Sequence, residues 1–271
     1  MPVTAKIGDS TSRIDGVDKV TGAARYAAEY FFDGMLYGWI VSSAIAKGCI
    51  ASIDETAARA VTGVVDIITH QNRPHLPLFD ASYGDDVGPP GSPFRALYDD
   101  KIAFSQQPLA LVLADTLEAA RHAASLVVVG YQASHHNTDF DIALAEKFDP
   151  KKKRFGYKAP KARGDADEAL ARAAVRCDAT YRIGVHHHNS MEMHASTVKW
   201  NDDGSIDVYD KTQGAQNVQA YLAGVFGLSK KRCVSSTRMW AVRSARACGR
   251  STRCIWRPWP QRCSSARYGW S

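Results

Sequence analysis

Between Lys231 and Arg232 the chain changes character, and only the residues before that junction can be asked to account for a fold. Residues 232–271 hold nine Arg, no Lys, no acidic residue, four of the six Cys and four of the six Trp. No helical or strand period arranges them into a face. The whole chain carries a formal charge of +6 and the tail contributes nine positive charges, which leaves −3 for residues 1–231. The basic balance therefore belongs to the tail. A basic arm interleaved with aromatics would suit RNA, but these Arg alternate irregularly with Ser, Cys and Trp.

Back-translation gives the tail another origin. In a GC-rich gene, codons read out of frame turn Ala, Gly and Val into Arg, Cys, Trp and Ser. Each shifted codon takes its last two bases from the next residue, so little freedom remains. Met239-Trp240 is encoded only by ATG TGG, and reading from each third base forces Val; Trp240-Ala241 forces Gly in the same way. Extended from Cys233, that frame admits Arg-Val-Val-Asn-Pro-Tyr-Val-Gly-Gly-Ala-Phe-Gly-Ser-Gly. From Arg253 to Ser271 it admits an Ala/Leu/Met-rich run ending in Arg-Ser-Val-Arg, the pattern of an apolar helix followed by a strand. The expectation is a frameshift near Lys231, with 232–271 an out-of-frame tail and the next strand of the fold placed where the tail begins.

The body is that of a globular protein. At 271 residues, 45% of them hydrophobic, one large domain or two ordinary ones are expected. No run of about 18 apolar residues occurs, which argues against a spanning helix. Met1 to Thr21 lacks the basic and apolar regions of a secretory signal. Before the tail there are only Cys49 and Cys177, far apart, which read as inert thiols in a reducing compartment. The expected location is the cytoplasm, or the periplasm if the protein is exported folded with a signal-bearing partner.

The stretch 151–163, KKKRFGYKAPKAR, has seven basic residues, Pro160 and no acid, and reads as a linker. Before it, strand and helix alternate. Leu36–Ala46 reads as a buried strand, Asp54 as the cap of a short helix closed by Gly63, and Val64–Thr69 as the returning strand. Residues 72–100 read as a polar loop. Pro108–Ala114 is an unbroken apolar strand ending at Asp115, which with Glu118 reads as a capping box for the helix that follows; Val127–Tyr131 is the next strand. This grammar implies a compact α+β or α/β domain. After the linker, Asp165 and Glu168 cap a helix. Strands are expected at Ala179–Val185, Ser196–Trp200 and Ser205–Tyr209, with Asp203-Gly204 turning the last two into a hairpin. Ala215–Phe226 is an amphipathic helix with Val218, Tyr221, Leu222 and Val225 on one face and Gly227 at its end.

Candidate chemistry is sparse. His186, His187, His188 and His194 crowd nine residues, as zinc or iron would require. Successive strand residues point to opposite faces, however, so three adjacent imidazoles cannot converge on one ion. They read as strand-end or loop histidines, and no metal ligand is assigned. No dinucleotide, phosphate-loop, nucleophile-elbow or Cys-x-x-Cys motif occurs in the body. Gln213, in Thr212-Gln213-Gly214, lies between a strand and a helix, the rim where α/β structures bind ligands. Spacing alone makes it a turn residue.

Three stretches then carry a family likeness. Arg13-Ile14-Asp15-Gly16, Lys19-Val20-Thr21-Gly22 and Ala24-Arg25-Tyr26-Ala27 resemble the start of the molybdenum-cofactor subunit of the xanthine dehydrogenase/aldehyde oxidase family. YGWIVSSAIAKG from Tyr37 is similar to the bacterial periplasmic-type aldehyde oxidoreductase branch, and HHNSMEMHASTVKW from His187 resembles the family segment around Met-Glu-x-His-Ala. The resemblance runs from about residue 13 to 231. It implies an α+β architecture: an α/β hammerhead domain over 13–134, a basic linker over 135–163, the incomplete first part of a molybdopterin-binding domain over 164–231, and the non-native tail 232–271.

The same resemblance implies an activity. Aldehydes, including aromatic and heteroaromatic ones, are oxidised to carboxylic acids by hydroxylation at a molybdenum-molybdopterin cofactor in its cytosine dinucleotide form. Electrons pass to [2Fe-2S] clusters and FAD on an iron–sulfur subunit and a FAD subunit of a heterotrimeric complex. No nucleic acid or membrane takes part. Position by position, the Gln beside the molybdenum oxo ligand is Gln213, whose amide would stabilise charge developing there. The family's Gly-Gly-x-Phe-Gly appears only in the shifted reading, and its Glu base would lie beyond Ser271, so the chain as written is expected to be inactive. An assembly module binding the iron–sulfur or flavin subunits is the non-catalytic alternative, and an RNA-binding protein the third.

Overall fold

The computed structural model describes residues 8, 10, 12–76, 95–146, 163–184, 186, 192, 194–212 and 214–236. After a short helix, α1 (Gly16–Thr21), the first unit is made of β1 (Tyr37–Ser42), β2 (Gly48–Asp54), α2 (Thr56–Arg59), β3 (Val64–Thr69), β4 (Lys101–Ile102), β5 (Pro108–Ala114), α3 (Leu117–Leu126) and β6 (Val128–Ala133). Two antiparallel sheets result, in strand orders β1-β5-β3 and β4-β2-β6.

Strand β5 explains why its sequence has no polar residue. Ala110 and Val112 pack with Ala58 of α2 and Ala123 and Ala124 of α3, while Leu111 and Leu113 enter a second core on the opposite face. Leu109 joins Ile50 and Ile102 of the other sheet. A strand covered on both sides has no solvent face on which to alternate.

The second unit holds α4 (Phe140–Ala143), α5 (Ala166–Arg172), β7 (Ser196–Trp200), β8 (Ile206–Asp210), α6 (Ala215–Phe226) and β9 (Cys233–Ser236). The β7–β8 hairpin is antiparallel, and β9 returns parallel to β8 after the crossover helix α6. Buried Val218, Tyr221, Leu222 and Val225 of α6 meet Val198, Ile206, Val208 and Cys233. Ile68, Leu111 and Leu113 of the first unit belong to the same cluster, so one core spans both units. Gly227, at φ +64°, ends α6. Its N–H donates to the Gly224 carbonyl and that of Leu228 to Ala223, at 3.3 and 2.8 Å, a Schellman pairing.

Several sequence expectations need correction. The helix of Ala215–Phe226 and the strands of β3, β5 and β7 stand where expected. The helix after Asp54 is a single turn from Thr56 to Arg59, and Asp54 instead accepts from the Thr56 N–H at 2.9 Å. Thr116, not Asp115, caps α3, its hydroxyl accepting from the Ala119 N–H at 3.1 Å. Asp115 uses its own N–H to reach the Gly63 carbonyl, which pulls it out of capping position. Leu36–Ala46 is strand only from Tyr37 to Ser42, because Ser43 turns the chain through bonds to Ile45. In the stretch taken as polar loop, Leu76, Ala96 and Leu97 are buried in the shared core; residues 77–94 lie outside the described residues. Residues 179–184 form no strand.

Strand β9 occupies the first residues after Arg232, and Cys233 there is fully buried. Burial pushes its thiol up to about 11 from the usual 9.0. The unfolded thiol ionises first, so this contribution is fully present below about pH 9 and is lost as pH rises toward 11, on the order of 2 kcal/mol. With iodoacetamide at pH 8, exposed Cys177 should be alkylated quickly and Cys233 roughly 100-fold more slowly until denaturant is added. Peptide mass spectrometry reads the difference; equal rates would mean that β9 is not docked.

Candidate functional site at the end of strand β8

The β7–β8 hairpin delivers a polar rim. Asn201, Asp203 and Ser205 shape its turn: the Asn201 N–H donates to the Ser205 carbonyl and Asp203 accepts from the Ser205 N–H. Hydrogen bonding from the Ser205 side chain, and then from its N–H, holds the Asp203 carboxyl below its usual range. Gly204 takes the positive φ, +75°, that the turn requires. At the far end, Ser196 faces Asp210 across the ladder and donates to it at 2.6 Å, both fully buried. β8 then gives way to Lys211 and buried Thr212, whose hydroxyl accepts from the Gly214 N–H at 3.1 Å.

Gly214 caps α6 with no side-chain bond of its own. No cap side chain therefore competes for the first-turn amides, which point out of a twelve-residue helix toward the strand end. Gln213, the residue singled out at this junction, lies outside the described residues.

The outer face of the hairpin is covered from an unexpected direction. Residues 26–32, which precede the first unit in sequence, lie across β7 and β8. Tyr30 stacks on Tyr209 with ring centroids 3.9 Å apart, and Phe32 lies between Tyr209 and Lys199. Ala27 is held at both backbone atoms: Thr197 donates to its carbonyl at 2.8 Å, and its N–H makes a long 3.5 Å contact with Glu192. Lys211 donates to the Glu192 carbonyl at 2.7 Å, tying this strap to the end of β8. Sequence reasoning singled out none of Glu192, Ser196, Thr197, Asp210 or Thr212. Ser196 and Asp210 carry a signal, being polar residues on the same strand face as core-facing Val198 and Val208.

The described histidines do not assemble. His186 and His194 are exposed, His187 and His188 lie outside the described residues, and His135 and His136 are exposed loop residues. Among the described residues no group of three or more His, Cys, Asp or Glu is placed to hold a metal ion. A cleft of about 580 Å³ opens between β1 and β6, where Arg121 lies over the Trp39 ring. No acid, histidine or cysteine lines it. Among the described residues no helix is long and apolar enough to cross a membrane.

Known proteins share this arrangement. Residues 21–135 match the family model of the aldehyde oxidase and xanthine dehydrogenase a/b hammerhead domain, and residues 148–239 that of the molybdopterin cofactor-binding domain. The aldehyde oxidoreductase molybdenum-binding subunit PaoC of Escherichia coli O157:H7 is 36% identical over 209 residues, 76% of this chain and 26% of PaoC. The xanthine dehydrogenase molybdenum-binding subunit of the same organism is 29% identical over 205 residues, 74% of this chain and 27% of that protein. Quinoline 2-oxidoreductase from Pseudomonas putida 86 has the same fold, with a TM-score of 0.66 at 20% identity over 83% of this chain and 29% of its own. The chain thus spans between a quarter and a third of the length of these proteins.

The junction fits one edge of a molybdopterin site. It offers first-turn amides that no cap side chain occupies, and among the described residues no group of three or more side chains is placed to ligate a metal.

Proposed function

Because the chain belongs to the aldehyde oxidase and xanthine dehydrogenase family of molybdenum oxidoreductases, we propose that it is the amino-terminal portion of a subunit that oxidises small aldehydes to carboxylic acids by hydroxylation. The observation that carries this reading is the β8–α6 junction: a glycine-capped helix start, behind buried Thr212, inside the stretch that matches a molybdopterin-binding domain. When bound, molybdenum-molybdopterin, in its cytosine dinucleotide form, supplies the redox chemistry. The chain's own part is to present donors. Gln213 offers a side-chain amide where negative charge develops, and the first-turn amides of α6 favour anionic groups. The complete protein works with an iron–sulfur subunit and a FAD subunit, in the cytoplasm or in the periplasm after export with a signal-bearing partner.

As written, the chain is inactive in this proposal, because the glycine-rich segment belonging after β9 is encoded out of frame. Both readings place strand-compatible residues at 233–236, Cys-Val-Ser-Ser in one and Arg-Val-Val-Asn in the other. The sheet can therefore form while the segment behind it is lost.

The test inserts one base between codons 231 and 232 of the gene with its downstream sequence, and expresses both forms alongside cofactor-synthesis proteins. Molybdenum by mass spectrometry should approach one per chain in the restored form and stay below about a tenth of that in the 271-residue form. In the restored form, Gln213→Ala should keep its molybdenum and lose on the order of 100-fold in kcat with an aromatic aldehyde. Aldehyde oxidation by the 271-residue chain would sink the inactivity claim. A stop codon directly after the inserted base would sink the frameshift.

A further inference from the structure

Two neighbouring stretches expose apolar side chains that the shared core does not use. Residues 176–184 run without helix or strand pairing, yet the alternation Ala-Thr-Tyr-Arg-Ile from Ala179 is that of a half-buried strand. Tyr181 is 86% and Ile183 87% exposed, and in a strand residues two apart share a face. Between them Arg182 donates through Nη2 to both oxygens of Asp141, at 3.0 and 3.1 Å. Asp141 lies in α4, where Phe140 is 75% exposed and Leu144, one turn on, 45%. The ion pair is an exposed, weak tether, but it sets α4 beside residues 179–183.

An exposed apolar stretch with the alternation of a strand is covered or paired in a finished protein. The length of the relatives says what is available to cover it: this chain corresponds to 26% of PaoC and 29% of the quinoline oxidoreductase. We propose that residues 179–183, with α4 alongside, are an edge onto which a β-strand from the remaining three quarters of a family subunit adds. That strand presents an apolar face to Tyr181 and Ile183, and its backbone pairs with theirs. The inference rests on the family reading given above and goes beyond it in naming the surface and its occupant.

The test co-expresses the tagged 271-residue chain with an untagged polypeptide comprising the part of PaoC that lies beyond the matched quarter. The chain should retain that polypeptide on the tag resin. The double variant Tyr181→Asp/Ile183→Asp should lower retention at least tenfold, while Val128→Asp, an exposed apolar position on β6, changes it less than twofold. Because these side chains are exposed, the variants should melt within a few degrees of the parent, which separates lost docking from lost folding. Equal retention by the double variant would overturn the surface while leaving the family reading, tested by molybdenum content, intact. No retention at all would overturn the proposal too. So would a 271-residue chain that sediments as a dimer and a double variant that sediments as a monomer, which would make a second copy the occupant.

Discussion

Val112→Asp should leave no folded chain at neutral pH. Val112 is fully buried at the centre of β5, paired with Trp39 on one side and Ile67 on the other, and packed among Val41, Ala58, Ala123 and Ala124. The substitution removes roughly 1.5–3 kcal/mol of apolar burial. It also places a carboxyl where no donor in that cluster can meet it, at several kcal/mol if ionised. The sum is comparable with the whole stability of a domain, about 5–15 kcal/mol. Burial would raise the carboxyl pKa in the folded state. Its penalty should therefore be smallest below the unfolded value near 4 and grow as pH rises. Circular dichroism at pH 5 and pH 8 reads this directly, any residual folded fraction being larger at pH 5. Val112→Ala, which leaves a cavity and no charge, should fold with a loss of about 2 kcal/mol at both pH values. A soluble Asp variant with equal stability at the two pH values would show that β5 is not covered on both faces.

The second large effect is expected at Gly48, where β2 begins. Its φ is +150°, and a Cβ there would sit 2.2 Å from the Gln132 carbonyl oxygen and 3.0 Å from the Ala133 Cα, both backbone atoms of β6. Ile45 Cδ1, at 2.9 Å, can swing away; the β6 backbone cannot without breaking the β2–β6 ladder, in which Gly48 pairs with Ala133. Gly48→Ala should cost about 3 kcal/mol or more, a fall of roughly 9 °C in Tm for a chain of this size. Gly204→Ala is the control. Its φ is also positive, but the nearest atom to a new Cβ is the mobile end of Arg232 at 3.7 Å. Only backbone strain of about 1–2 kcal/mol remains there. Equal shifts for the two variants would mean that β2 and β6 do not approach as closely as described.

What the sequence disclosed depended on how each segment is covered. β5 and α6 were legible to the residue because one is apolar throughout and the other has a clean helical face ending in Gly227. β2, GCIASID, escaped notice. It opens on a glycine and pairs polar with apolar residues over a short run, since one face of that sheet meets only the small cluster of Ile50, Ile102 and Leu109. Thr116 was passed over for Asp115 because cap spacing looks alike for both; only the Gly63 bond to Asp115 separates them. At the rim, Asp210 and Ser196 share the strand face of the core valines and could have been picked out as a buried polar pair. The strap could not. Nothing in Ala27, Tyr30 or Phe32 says which strand they will cover. Gln213 was indicated by the family resemblance, not by spacing.

The strap has a temporal consequence. Ala27 meets Thr197 and Glu192, partners 170 and 165 positions later in the chain. A ribosome adding about 5–20 residues per second needs on the order of 10–30 s to make that interval. Throughout it, Tyr30 and Phe32 have no hairpin to rest on, so this early segment is among the last to settle. The strap is thus a natural place for a chaperone to hold, and it is released only when the rim of the second sheet has emerged.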